Sequence, residues 1–266
     1  MQYGDFRHLG FDRRADGVLT VTLDRPEVMN ATNARMHWEL TQVWQVAGED
    51  PTVKVIVVTG AGDRAFSAGG DLEWVQSLVG NPVATAEAMD EARDLVYNIL
   101  NCKKPIVSAI NGTAVGAGLA VALLADVSVI ADEAKITDGH VRLGVAAGDH
   151  APIIWPLLCG MAKAKYYLMT GEFMTGKEAE RLGLVTFSLP REEVLGRALE
   201  IAGKLATGSQ DAIRNTKMSL NNWMRMAGPI FDNALTLEMM GFLGPDAKEG
   251  LDAIRNKRKP DFPSAQ

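Results

Sequence analysis

Two stretches of this chain follow one plan, and that plan constrains the fold more than any other feature. Val53 to Thr59 is a β-branched run that ends in Gly60-Ala61-Gly62-Asp63; Pro105 to Ile110 is an apolar run that ends in Asn111-Gly112. Short apolar runs closed by turn residues read as buried strands. A helical stretch lies between them, roughly 84–100, and Gly116 to Ala125 after the second is apolar enough to be a buried helix. Val127 to Ala131 is a further strand. Earlier, Gly17 to Leu23 alternates as a half-buried strand does and stops at Asp24-Arg25-Pro26. Met36, Leu40, Val43, Trp44 and Ala47 then recur at helical spacing up to Gly48. From Val194 onward the chain reads as helix, broken near Gly208, Gly228-Pro229 and Gly244-Pro245. The expectation is an α/β core over 1–190 and a helical region over 191–266.

Charge and cysteine content remove several classes of function. Lys and Arg number 27 against 33 Asp and Glu, a net charge of −6, which excludes a general nucleic-acid surface. Lys257, Arg258 and Lys259 form one local basic cluster. Cys102 and Cys159 make neither a disulfide framework nor a zinc spacing, so no metal is expected and both read as small apolar residues. The N-terminus lacks a signal-type apolar region. The longest apolar run, Leu119 to Ala125, falls far short of the ~20 residues of a membrane span. The expectation is a cytoplasmic protein with no membrane partner.

The segment around Gly60 to Asp71 supports three chemical readings. Gly60-x-Gly62-x-x-Ala65 matches a relaxed dinucleotide fingerprint, but Gly69-Gly70 interrupts the helix that should open there. Ala65-Phe66-Ser67-Ala68-Gly69 resembles a nucleophile elbow, but Ser67 stands several residues beyond the strand end at Thr59. The third reading is an oxyanion hole: small residues at Ser67, Ala68, Gly69 and Gly70 let a ligand approach backbone N–H groups, and Asp71 caps the next helix. Asn111 to Gly118 offers a second set of donors, because the first N–H groups of a helix have no partner inside it.

At this point the sequence resembles the crotonase (enoyl-CoA hydratase/isomerase) superfamily. Its AFCAGxD segment is matched by Ala65-Phe66-Ser67-Ala68-Gly69-Gly70-Asp71, and its NGxAxGGG segment by Asn111 to Gly118. Leu23-Asp24-Arg25-Pro26 with Met29-Asn30-Ala31 looks like NRPxxxNA. Leu168 to Gly171 with Glu178-Ala179 and Gly183-Leu184-Val185 looks like LTG…EA…GLV, and the tail from Glu249 to Pro260 also fits. The resemblance covers nearly the whole chain. It implies a spiral of ββα units, a C-terminal helical region that builds homotrimers or homohexamers, and acyl-CoA substrates without a tightly bound cofactor. It places the oxyanion donors at the N–H groups of Ala68 and Ala117, with Gly69 and Gly116 against the substrate. Arg25, Arg64, Lys257 and Arg258 stand where CoA phosphates or nucleotide are held, the alternative being solvated surface cations.

Departures from the pattern bear on the chemistry. Hydratases of the standard type use two glutamates; here their positions carry Ala120 and His140. What remains is His140, Asp149 and His150. Histidine titrates near ~6.5 and suits proton transfer at neutral pH. A His…GlyxxxGlyAsp arrangement resembles a crotonase branch that includes hydrolases of β-diketone C–C bonds, in which the aspartate orients the histidine and the histidine activates water. Asp149 is accordingly the expected partner of His140, His150 an alternative base or substrate-facing group, and Asp138 a surface turn residue. His8 and His37 read as structural, and Met218, Met224, Met226, Met239 and Met240 as packing residues. Trp38, Trp74, Trp155 and Phe173 belong either to an apolar pocket or to the core. The leading expectation is an acyl-CoA-processing enzyme adding water through His140 and Asp149. The alternatives are a C–C hydrolase of the same superfamily and a silent acyl-CoA-binding protein.

Overall fold

A computed structural model describes residues 1–266. Strands β1 (Leu9–Arg13) and β2 (Val18–Leu23) form an antiparallel hairpin that leads into α1 (Ala34–Glu49). Asn33 starts this helix by accepting the Met36 N–H. Then come β3 (Val55–Gly60), β4 (Ala65–Ser67), α2 (Leu72–Leu78) and α3 (Pro82–Asn101), followed by β5 (Ile106–Ile110), β6 (Thr113–Val115) and α4 (Gly116–Leu124). A third round comprises β7 (Val127–Ala131), β8 (Lys135–Thr137), α5 (His140–Leu143) and α6 (Ala151–Thr170). After β9 (Met174–Thr175), α7 (Gly176–Leu182) and β10 (Phe187–Leu189), the chain is helical: α8 (Arg191–Thr207), α9 (Gln210–Met226), α10 (Gly228–Phe242) and α11 (Pro245–Arg255).

The strands sort into two sheets, ordered β1-β2-β3-β5-β7-β10 and β4-β6-β8-β9. In three successive rounds the first strand joins the larger sheet and the second joins the smaller one. This is the ββα spiral that the resemblance implied. Its reason is visible in the turns. At Gly112 a Cβ would stand 2.7 Å from the Arg64 carbonyl oxygen, so only glycine lets the second turn nest against the first. The three-residue strands β4, β6 and β8 are too short to show an alternation in sequence. Helix α6 was equally hidden, because Pro156 and Gly160, with φ 76°, interrupt its pattern.

One apolar core runs from Phe6 to Leu251. Helix α8 lays Val194, Ala198, Ala202 and Ala206 against β3, β5 and β7. The expected boundary at residue 190 therefore marks a change of secondary structure, not a break in the core. Cys102 lies buried and Cys159 half-buried. Trp155 is core, while Met226 (73% exposed) and Met240 (63%) lie on the outer surface instead of packing inside the chain. No helix is long and apolar enough to cross a membrane.

Candidate active site

Both glycine loops open onto one cavity of about 220 Å³. That is far more than the ~10–15 Å³ one water needs. Its walls are mostly apolar, with Trp74, Val75, Leu143, Met239 and Phe242 among them.

The first loop is tied to the segment that leads into α1. Asp71 caps α2 by accepting the Glu73 N–H at 3.1 Å, as expected. The Ala68 N–H donates to the Met29 carbonyl at 2.9 Å, so it is not free to hold an anion. The Gly69 N–H points to the Ser67 hydroxyl at 3.3 Å, and Gly69 does not line the cavity. Gly70 does line it, and its N–H has no partner within the chain. In this loop it is Gly70, not Ala68, that presents an unpaired N–H at the cavity. The reason is the positive φ of Gly69, 91°, which turns the following peptide toward the cavity. Ala117 stands in the first turn of α4, where its N–H has no partner inside the helix, and it lines the same cavity beside Gly116. Ser67 is fully buried and bonded to the Asn30 carbonyl at 2.8 Å, which removes the nucleophile elbow. No helix opens at Gly60–Gly62, where β4 follows instead, and this removes the dinucleotide reading.

A charged cluster faces the same space. His140 opens α5, and its Nδ1 lies 2.9 Å from Asp138 Oδ2. Its Nε2 faces Glu238 Oε1 at 3.4 Å and Asp149 Oδ2 at 3.8 Å. Two expectations are thereby corrected. Asp138 is not a surface turn residue: its side chain is 1% exposed and it orients His140. Asp149 makes its short bond to His150 Nδ1, at 2.6 Å. His150 is fully buried and does not line the cavity, so it supports Asp149 rather than facing a substrate.

Glu238 was not singled out in the sequence. It projects from α10 and is 3% exposed, with Oε2 unpartnered. A lone carboxylate in the apolar stretch Leu235 to Phe242 was the available signal. His37 was read as structural, yet it lines the cavity too.

Electrostatics set the protonation of this cluster. Burial opposes charge on His140, but Asp138, Glu238 and Asp149 outweigh it and hold the imidazole well above its usual range. Burial also opposes charge on Asp149; His140 and His150 overcome it and keep that carboxyl below its usual range. Burial pushes the Glu238 carboxyl up to about 8, with His140 pulling against it and Asp149 and Asp138 adding to the rise. Both shifts run upward, so the His140–Glu238 pair as a unit holds its protons more tightly than the free groups would. Asp138, His140 and Asp149 bring ligand-type atoms within 4.8 Å of one another, and both His140 ring nitrogens are already turned to carboxyl groups.

The four expected phosphate contacts are scattered. Arg25 is tied to Asp71 at 3.1 Å and to the Ala31 carbonyl, and Arg64 is exposed outside the cavity. Lys257 and Arg258 line a separate basic groove with Arg142 and Lys259. Ile254 is shared with the cavity wall, so the two openings adjoin. Arg258 is paired with Glu249 and Asp252, which leaves Lys257, Lys259 and Arg142 as the groove's cations without a carboxylate partner. Arg142 stacks over Phe173 there, while Trp38 lies under Arg35 and only Trp74 reaches the cavity.

A family model described as enoyl-CoA hydratase/isomerase matches residues 13–265. A crotonyl-CoA hydratase of Syntrophomonas wolfei is 32% identical over 245 residues, spanning 90% of this chain and 92% of that protein. Among solved structures, an enoyl-CoA hydratase/isomerase from Mycobacterium paratuberculosis superposes with a TM-score of 0.87 at 32% identity, covering 92% of this chain and 97% of that one. A β-diketone hydrolase from the cyanobacterium Anabaena, bound to (S)-3-oxocyclohexyl acetic acid, superposes with a TM-score of 0.84 at 26% identity. That match covers 91% of this chain and 96% of the other.

Proposed function

The chain belongs to the enoyl-CoA hydratase/isomerase family of the crotonase superfamily, and on that premise we propose that it adds water to a 1,3-dicarbonyl substrate and cleaves the C–C bond between the two carbonyls. One observation carries this reading. A cluster of His140 and Glu238 faces the cavity that the Gly70 and Ala117 N–H groups line, and Ala120 stands where the resemblance implies a hydratase carboxylate.

Water's oxygen bonds to one carbonyl carbon. The C–C bond breaks, and its electron pair passes to the other carbonyl as an enolate. Gly70 and Ala117 N–H groups hold the enolate oxygen; a single such donor is worth ~3–4 kcal/mol in other enzymes. The Glu238–His140 cluster then delivers a proton to the enolate carbon. The products are a carboxylic acid and a ketone, which together equal substrate plus water. The Anabaena hydrolase, with its bound keto acid, supports this substrate class.

Hydration of an α,β-unsaturated acyl-CoA is the second reading. The basic groove beside the cavity and the hydratase names of the relatives favour it. Mass-resolved incubation with a cyclic 1,3-diketone and, separately, with crotonyl-CoA distinguishes the two. Ring opening with gain of one water, lost in His140→Ala, is the expected result. Water gain on crotonyl-CoA alone replaces the proposal with the second reading. Turnover of neither substrate favours a silent binding protein.

A further inference from the structure

Water addition needs a base as well as an acid, and the His140 cluster is on the donating side. Both ring nitrogens of His140 face carboxyl groups, at 2.9 Å on Nδ1 and at 3.4 and 3.8 Å on Nε2. Neither nitrogen is left with a lone pair for water.

A second histidine on the cavity wall is arranged the other way. His37 projects from α1, and its Nδ1 is held by Glu91 Oε2 of α3 at 2.6 Å. Its ring rests against Trp74 of α2, with centroids 4.7 Å apart. The side chain is only 5% exposed, and it lines the cavity. Nε2 makes no hydrogen bond within the chain, and it is not among the buried atoms that lack a partner. The ring thus stands on the cavity wall with Nδ1 held and Nε2 unpartnered. A carboxylate on Nδ1 fixes the tautomer and leaves the Nε2 lone pair free, which is the arrangement of a general base.

We infer that His37, oriented by Glu91, is the base that takes the proton from the attacking water, while the Glu238–His140 cluster is the acid. This rests on the water-adding reading above, and not on the choice between its two substrates. The O–H bond of water breaks toward Nε2 of His37 as the new C–O bond forms. The electron pair displaced onto the substrate becomes the enolate, whose carbon takes its proton from the opposite wall. His37 then releases its proton and Glu238 regains one through solvent.

The test uses the full-length protein and whichever of the two substrates the wild type turns over. His37→Ala opens a space on the wall, and added imidazole can occupy it. The expected result is a loss of ~10²–10⁴-fold in kcat, little change in KM, and recovery of at least tenfold on adding imidazole. Glu91→Gln keeps the ring and loses less, and imidazole does not help it. A His37→Ala protein that keeps kcat within threefold, or loses it without imidazole rescue, overturns the inference. Crotonyl-CoA hydration with imidazole rescue retains the base and discards the C–C hydrolase. Diketone cleavage indifferent to His37 does the reverse, and turnover of neither substrate removes both.

Discussion

Asp149 and His150 are partners: Oδ1 of one lies 2.6 Å from Nδ1 of the other, while Asp149 Oδ2 stands 3.8 Å from His140. The short bond turns Asp149 into a fixed charge beside His140 and hands the orienting role to Asp138. Because His150 is fully buried, the Asp149 carboxylate is held from behind by a group that solvent cannot reach.

Asp138→Asn is expected to lower kcat by ~10²–10⁴-fold with a smaller change in KM, because the imidazole loses the carboxylate that orients its ring and favours its charged form. Its His140 resonance should titrate at lower pH than in wild type, read by nitrogen-15 NMR. An unshifted titration and unchanged kcat would show that Asp138 does not orient His140.

Glu238 should tie stability to pH. Between the ordinary value of 4.5 and about 8, the folded chain keeps a proton that the unfolded chain has released. The folded state then binds more protons, so stability falls as pH rises through that window, by up to about 1.4 kcal/mol per unit. His140, raised above 6.5, slopes the same way from that value upward. Glu238→Gln removes one of these two contributions, so urea denaturation from pH 5 to 8 should give a flatter profile than wild type. Parallel profiles would mean that Glu238 is ionised in the folded protein. As the proposed acid, wild-type Glu238 should also make kcat fall above pH ~8, where the proton is lost.

The contact between the two glycine loops can be tested by volume exchange. A Cβ on Gly118 would fall onto the Ser67 side chain. Gly118→Ala should cost ~1–3 kcal/mol through overpacking, and Ser67→Gly in the same chain should restore part of it. Additive losses in the double variant, measured by denaturant unfolding, would show that the two residues do not share the space.

An assembly of copies is expected to cover the outer apolar face. Trp223 (62% exposed), Met226 (73%), Ile230 (58%) and Met240 (63%) present large side chains from α9 and α10. Large apolar side chains left this exposed on two successive helices are what an interaction surface would cover. Light scattering should find a trimer or hexamer for wild type and a smaller species for Trp223→Asp with Met226→Asp. A monomeric wild type would refute the expectation. Met240 and Leu237 flank Glu238 on α10, so dissociation should also lower activity.

Local pattern determined a good deal. The β-branched run at Val53–Thr59 and the apolar run at Pro105–Ile110, each closed by a glycine turn, marked two buried strands; the structure pairs them in parallel from Ile56↔Ile106 to Thr59↔Ala109. Ordered motifs carried the family. Those are short-range facts, because strand propensity and turn chemistry act over a few residues. Tertiary structure decided which polar groups meet. Ala68 lost its place to Gly70 because Met29, 39 positions away, supplies the carbonyl that occupies the Ala68 N–H. Asp138 took the role read for Asp149, and Glu238 reached His140 across 98 residues from a helix that reads as packing. His37 and Glu91, 54 apart, became a pair only when α1 and α3 packed side by side. Partners of this kind are chosen by burial, which penalises any charge left alone and thereby forces distant titratable groups together.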